Sequence, residues 1–404
     1  SDGTCMIMNY YGKKTKVKIP KEVDGYIVTD LHWFWGNDKI TDIIIPEGNF
    51  DFNSQAFSNC RSLKNIYVDP NNKRYSSDNG IMFSKNKDKI LCFPKGRSET
   101  EYVIPDSVIE IGNNAFEDCG NLLSITIPNG VTTIGSAAFE CTSISAIDIP
   151  ESVTEIGGSS FRQCVKLEEI DIPKNVEYIE SYTFYYCKAL QKVTIKGNIT
   201  GIGYYAFSIC SSLKEINIPN SLKEIGDYAF ANCASLASAT LELQTEKLIG
   251  TFSGCALLGN VSVQEGLLTI GEGAFANAGK NAEGGLTFEI PSSVQEIGKN
   301  AFNASGILSV TIPAKVPAIS AGAFMDTEKL TSITFEKTAA GDEKVALVIE
   351  GGSQSTGAFA NSALTAIELP ERLTSIGDYA FYSLNVSKLT SVTSEKTTGD
   401  LTEI

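Results

Sequence analysis

Histidine is nearly missing from this chain: the single one among 404 residues is His32. Ser/His/Asp and Cys/His nucleophilic mechanisms both need an imidazole base. His32 lies beside Trp33, Phe34 and Trp35, where packing among aromatics is the expected role rather than proton transfer. Cationic residues are also scarce, 33 Lys and Arg against 48 Asp and Glu, for a net charge of −15. That balance argues against a nucleic-acid partner, whose phosphates need a Lys/Arg surface. It argues equally against electrostatic docking on an anionic membrane. No apolar run approaches the ~18 residues of a membrane span, so no membrane insertion is expected. No GxxxxGK phosphate loop occurs. The ten cysteines contain no CxxC pair of the kind that holds a metal. No cofactor and no metal are expected.

What the chain does have is a repeat. It reads IPDSVIEIGNNAFEDC at 104–119, IPNGVTTIGSAAFEC at 127–141, IPESVTEIGGSSFRQC at 149–164 and IPNSLKEIGDYAFANC at 218–233. Its phenylalanine recurs at 34, 57, 116, 139, 161, 184, 207, 230, 252, 275, 302, 324, 359 and 381. Most steps are 22 or 23 residues, with longer ones of 59, 27 and 35. A fixed period of this size marks a solenoid, in which each unit buries its apolar face only against its neighbours. Such a chain grows by adding coils, so its length need not divide it into several domains.

One coil can be read from residues 213–233. Leu213, Ile216 and Ile218 alternate with polar Glu215 and Asn217, as in a short strand with one buried face. Pro219 has no N–H for a ladder and ends it. Asn220 and Ser221 suit a turn. Leu222 and Ile225 begin a second inward-facing stretch, and Gly226 permits the bend after it. Tyr228-Ala229-Phe230 then lead back across the coil, expected as a turn of helix. Phe230 is the expected core plug and Cys233 the residue that closes the coil.

The fold class expected is therefore a β-rich solenoid. It is a curved stack of about fourteen 22–23-residue coils with short strands, short helical turns and a few insertions, forming one domain over 1–404. Residues 1–40 read as an N-terminal capping coil and 385–404 as a worn C-terminal cap. Residues 66–96 read as a β-hairpin-like insertion, 278–285 as a Gly/Asn-rich loop, and 336–355 as an insertion carrying an extra strand, ALVIE. Insertions in a solenoid either sit on the functional face or are tolerated surface drift, because long loops add little entropy cost.

The combined pattern IPxxVxxIGxxAFxxCxxLxxIxI resembles the BspA-like, or Treponema-type, leucine-rich repeat family over roughly residues 15–395. The 66–96 segment resembles an insertion common in that family, and 4–31 resembles its usual first coil. The resemblance implies a secreted or surface-exposed bacterial protein, with some relatives acting as adhesins. The chain begins at Ser1 with no visible signal peptide and carries no LPxTG signal, LPERL at 369–373 being the nearest string. A mature or trimmed form is expected.

Several residue sets could carry chemistry. Eight cysteines follow the marker phenylalanine, at 60, 119, 141, 164, 187, 210, 233 and 255. Later repeats put Ala278, Ser305, Thr327 and Ser362 in the same slot. A slot that accepts Cys, Ala, Ser and Thr is filled for size, so a ladder of buried thiols is expected, with disulfides between coils as the alternative. Cys5 and Cys92 lie outside it and are the better redox candidates. Asp69, Asn71, Asn72 and Asp78 lack EF-hand order and suit Asx turns. A glycan-active enzyme would need two carboxylates converging near 66–96 or 336–355.

Two surface stripes are candidate ligand contacts. Outward strand positions include Glu169, Asp171, Lys192, Thr194, Glu215 and Asn217, on a small, hydroxylic, mildly acidic face. Such a face either serves a basic or glycosylated partner or simply reflects good solvent-facing strand residues. Tyr182, Tyr205 and Tyr228 stand two before the phenylalanine in three consecutive coils. In-register stacking would make them a ladder with apolar bodies and polar tips, suited to sugar or protein contact or to packing at the coil edge. The function expected is non-enzymatic: a cell-surface or secreted adhesion or binding protein, monomeric. Its partner would be an extracellular matrix protein, another host protein or a glycan. A structural spacer presenting another domain or anchor is the alternative.

Overall fold

The computed structural model describes residues 3–394 apart from 9, 32–36, 49–50, 59, 242–244, 340–342, 354 and 384–388. His32 with its neighbouring tryptophans, Phe34 and most of the C-terminal cap lie outside the described residues. The chain divides into two compact units, 1–190 and 191–404. Each is a β-solenoid whose coils have three sides: two parallel strand ladders and one ladder of turns.

In the first unit, one strand ladder joins Lys16–Lys18, Asp42–Ile45 and Asn65–Val68, and a separate pair joins Glu101–Val103 to Ser124–Thr126. The second ladder joins Lys89–Cys92, Glu110–Ile111, Thr133–Ile134 and Glu155–Ile156. In the second unit the first side carries Lys192–Ile195 with Glu215–Ile216, then Ser238–Leu241 with Asn260–Val263 and Thr287–Phe288. Its second side runs from Lys247–Leu248 to Leu373–Ile376. The alternation read from the sequence is realised as written: Ser309–Ile312 and Ala366–Leu369 both run exposed, buried, exposed, buried. Burying one face of each strand against the next coil is what stabilises the stack.

The third side differs from expectation. Among the described residues there is no helix; the stretch around each phenylalanine is a run of turns. The cause, in most coils, is two left-handed residues, two before and two after the phenylalanine. Around Phe116 they are Asn114 (φ +57°) and Asp118 (φ +57°), and around Phe230 they are Tyr228 (φ +60°) and Asn232 (φ +61°). A right-handed helix cannot pass through such residues. Amides that a helix would satisfy internally instead alternate. Ala115 N and Glu117 N bond within their own coil, to Gly112 O and Asn114 O at 3.2 and 3.1 Å. Asn114 N, Phe116 N and Asp118 N reach the next coil, to Ser136 O, Ala138 O and Glu140 O at 3.0, 2.8 and 2.8 Å. Each left-handed residue other than glycine costs on the order of 1–3 kcal/mol, and the ordered inter-coil bonds offset that cost.

Inside, the phenylalanines stack. In the first unit, the rings of Phe116, Phe139, Phe161 and Phe184 lie 5.2–5.5 Å apart in sequence order. In the second, the column runs from Phe207 through Phe381 at 5.1–5.9 Å. Its members from Phe207 to Phe324 are wholly buried. The 35-residue step between Phe324 and Phe359 leaves the column unbroken, with the rings 5.2 Å apart.

Two insertion readings change. Residues 75–84 are the expected hairpin, Tyr75–Asp78 antiparallel to Ile81–Ser84. Lys89–Cys92, however, joins the parallel ladder with Glu110–Ile111, and Phe93 stacks on Phe116 at 5.4 Å. Phe93 N donates to Ala115 O as Phe116 N does to Ala138 O. Phe93 is thus the marker of a further coil, 23 residues before Phe116, inside the segment read as insertion. Likewise the strand in ALVIE, Leu347–Ile349, is no extra strand but a ladder member between Ala318–Ile319 and Leu373–Ile376. The surplus residues fall before and after it.

Candidate functional site

The outward strand positions lie where the alternation places them. Glu169 and Asp171 are exposed on one strand of the first unit. In the second unit Lys192 and Glu215 are exposed and opposed in register across neighbouring strands, where opposite charges attract modestly. Thr194 is half-buried. Asn217 has a structural task the sequence did not signal. Its side-chain amide receives Ile195 N and donates to Ile195 O, both at 3.0 Å. The strand at Glu215–Ile216 is only two residues long, and Asn217 continues its pairing with a side chain.

The tyrosines form two groups, one in each unit. In the first, Tyr182 is 38% exposed and meets Tyr185 edge-on at 5.6 Å, and Tyr185 lies 6.1 Å from Tyr186. Lys188 Nζ stands 4.3 Å over the Tyr186 ring, and the Arg162 guanidinium 5.8 Å over Tyr185. Arg162 also pairs with Glu140 at 2.9 Å. Cations over aromatic faces hold those rings in place. The sequence reading missed Arg162 and Lys188; each directly follows or closely trails a marker phenylalanine, which was the available signal.

In the second unit Tyr205 and Tyr228 stack face to face, 5.0 Å apart and 8° from parallel. Both are left-handed, at φ +53° and +60°. The next residue in this column is Gly250, also left-handed at φ +57°. A Cβ there would lie 2.2 Å from Tyr228 Cδ1. The Tyr228 ring thus lies across the space a side chain at 250 would take, and with no ring on Gly250 the stack stops there. Tyr204 beside it is 52% exposed.

The cysteine slot is a column of buried free thiols. Cys164, Cys187, Cys233 and Cys255 each donate to the phenylalanine carbonyl of the preceding coil at 3.1 Å. Burial pushes these thiols up, to about 12 for Cys164 and Cys255, so the nucleophilic thiolate is suppressed. Cys141 sits one residue early: Thr142 fills the slot, bonding Phe139 O at 2.9 Å, and Cys141 is only half-buried. Ser305 occupies the slot with its hydroxyl buried and unpartnered, as expected of a position filled for volume. Cys92, read as a redox candidate, is buried in the core cluster with Cys60 and is pushed up to about 12 by burial. Cys5 is half-buried, its thiol 3.6 Å from Tyr26 O.

The carboxylates near the insertions are individually engaged. Asp69 accepts from Asn71 N at 2.8 Å, an Asx turn, and buried Asn72 braces Arg74 N, Tyr75 N and Pro46 O. Asp78 pairs with Lys87 at 2.7 Å. Glu336 and Glu350 accept from Ala314 N and Ala321 N at 3.0 and 2.9 Å. A shallow hollow of about 540 Å³ near them is floored by Arg372, whose guanidinium serves the carbonyls of Pro313 and Val316. Among the described residues, no group of three His, Cys, Asp or Glu could hold a metal, and no helix is long and apolar enough to cross a membrane.

Comparison with known proteins accords with this architecture. The model of the BspA type leucine-rich repeat region matches residues 12–88, 89–207, 177–283, 280–343 and 353–402. A leucine-rich repeat protein from Eubacterium ventriosum is 23% identical, with a TM-score of 0.50 over 65% of this chain and 64% of its own, just under two thirds of that protein. One from Bacteroides ovatus is 23% identical with a TM-score of 0.50 over 92% and 91% of the two chains. The pneumococcal vaccine antigen PcpA is 17% identical with a TM-score of 0.51, over 98% and 93%. Curated proteins give no significant match.

Proposed function

We propose, from the premise that the chain belongs to the BspA type leucine-rich repeat family, that it is a non-enzymatic bacterial cell-surface or secreted protein. Its work is to bind a protein or a glycan on the repeat surface. The observation that carries this reading is the tyrosine flank. In the second unit Tyr204 is exposed, and Tyr205 and Tyr228 stack parallel on left-handed backbone; Tyr182, exposed in the first unit, is a separate candidate contact. Rings fixed before the ligand arrives lose little conformational entropy on binding, and a tyrosine offers an apolar face with a hydrogen-bonding tip. The exposed strand positions Lys192 and Glu215 of the second unit, and Glu169 and Asp171 of the first, are candidate polar contacts on the strand face of their own units.

The test is a binding screen of the purified chain against extracellular matrix proteins, mucin and a glycan array. A Tyr182/Tyr205/Tyr228→Ala variant runs alongside. Saturable binding reduced tenfold or more in the variant supports an adhesive flank. Binding untouched by the variant removes the tyrosines from the site. Absence of saturable binding to every class tested overturns the reading and favours a spacer that presents another domain or anchor.

A further inference from the structure

Among the strand edges of the first unit, that of Glu101–Val103 is left bare. Glu101–Val103 pairs in parallel with Ser124–Thr126 and with no other strand among the described residues. The strand before it, Asn65–Val68, also ends its sheet, but its edge is closed by the inserted hairpin. Ile66 N donates to Gly80 O at 2.8 Å, and Val68 N donates to Ser77 Oγ at 2.9 Å. The edge of Glu101–Val103 that faces this hairpin has no such cover. Ile104 N donates to Thr126 O at 3.1 Å, so the main chain of Tyr102 and Ile104 is directed at Ser124–Thr126. Alternation along a strand then turns the N–H and C=O groups of Glu101 and Val103 the other way, where they stand as an unpaired template.

Between that edge and the hairpin lies an open groove of about 780 Å³, lined by Tyr67, Asp78, Arg97, Glu99, Tyr102 and Val103 among others. Its rim offers apolar surface, with Tyr67 42% and Val103 68% exposed. The groove's own cation is spent: the Arg97 guanidinium bonds Asn79 O, Lys64 O and Glu99 and lies 5.4 Å over the Phe93 ring. Glu101, by contrast, is exposed at the bare edge, and Asp106 is exposed just beyond it. A complementary occupant would bring main-chain donors and acceptors at strand spacing, an apolar side chain for Tyr67 and Val103, and a positive charge.

We infer that the Glu101–Val103 edge receives an extended peptide segment of a partner protein, added as a further strand, with a Lys or Arg of that segment set against Glu101. A polypeptide fits better than a glycan, because only a main chain repeats its hydrogen-bonding groups at the ~3.3 Å rise per residue of the strand it joins. The inference rests on the binding reading above and names a partner chemistry and a second place for it, remote in sequence from the tyrosines.

The full chain would be panned against phage-displayed random heptapeptides, and enriched sequences resynthesised with a fluorophore for polarisation titrations. Val103→Pro removes the N–H directed at the groove while leaving the bonds of Tyr102 and Ile104 to their partner strand, and an edge strand tolerates proline. Glu101→Lys reverses the charge at the edge. Expected are peptides alternating apolar residues with Lys or Arg, weakened at least tenfold by Val103→Pro and at least fivefold by Glu101→Lys at low salt. Slowed amide exchange over 101–103 in the wild-type complex is the matching readout, and it decides the matter with Glu101→Lys should Val103→Pro fail to fold. Peptides that bind both variants as tightly as wild type, or no enriched peptide at all, overturn the inference. Either result leaves the tyrosine-flank reading standing or falling by its own screen.

Discussion

Adding one methyl group at Gly250 should destabilise the protein by about 3 kcal/mol, and a second substitution should remove most of that loss. Two terms make up the figure. Gly250 sits at φ +57°, and a non-glycine residue held there costs on the order of 1 kcal/mol. The new Cβ would also lie 2.2 Å from Cδ1 and from Cε1 of Tyr228, far inside contact distance. The ring cannot simply step aside, because its other face lies against Tyr205 at 5.0 Å. Overpacking of this kind costs roughly 1–3 kcal/mol. In a Tyr228→Ala background the obstructing ring is gone, and Gly250→Ala should cost only the backbone term, roughly 1 kcal/mol. The expected coupling is therefore about 2 kcal/mol, of the size seen for groups in direct contact. Urea denaturation of wild type, both single variants and the double variant, followed by circular dichroism, measures all four corners of the cycle. Equal costs for Gly250→Ala in the two backgrounds, within about 0.5 kcal/mol, would refute the argument. The Tyr228 ring would then not be fixed in place, and the case for a preorganised tyrosine flank would weaken with it.

Three further outcomes follow from the interior. Phe230 is fully buried between Phe207 and Phe252 at 5.3 and 5.9 Å, so Phe230→Ala should cost about 3–5 kcal/mol; a urea midpoint nearly unchanged would show that the column collapses to fill the gap. The buried thiols set a high-pH limit. Burial raises Cys164 and Cys255 from 9.0 to about 12 in the folded chain, so unfolded thiols ionise first. Their stabilising contribution should be complete below about pH 9 and fall as pH rises towards 12. Thermal unfolding followed across that range should be flatter in a Cys164→Ala/Cys255→Ala variant. At pH 8 iodoacetamide should label half-buried Cys5 well before the slot cysteines, and Cys141, pushed up to about 12 mainly by burial, should lag with them, which peptide mass mapping would reveal; rapid labelling of Cys233 would contradict the burial argument.

The repeat period announced the solenoid because in such a fold neighbours in sequence are neighbours in space. Alternating apolar residues named the buried strand faces, and the marker phenylalanines named the core column. Phe93 was legible too, 23 residues before Phe116, but the hairpin residues ahead of it masked the spacing. The same masking made Leu347–Ile349 look like an extra strand, although it is an ordinary member of its ladder.

What only the tertiary structure decided depends on the backbone of one coil meeting that of the next. The sequence marked Tyr228-Ala229-Phe230 as a possible helical turn, since none of the three forbids it. The left-handed φ of Tyr228 accompanies the bond Tyr228 N makes to Ile249 O at 2.9 Å in the following coil, a partner that these three residues by themselves do not reveal. Cation placement over Tyr185 and Tyr186, the bonding of Asn217 to Ile195, and the bare edge at Glu101–Val103 arise in the same way. Periodicity in the sequence determined which residues point inward; inter-coil hydrogen bonding determined how the outward ones are held, and so what they can bind.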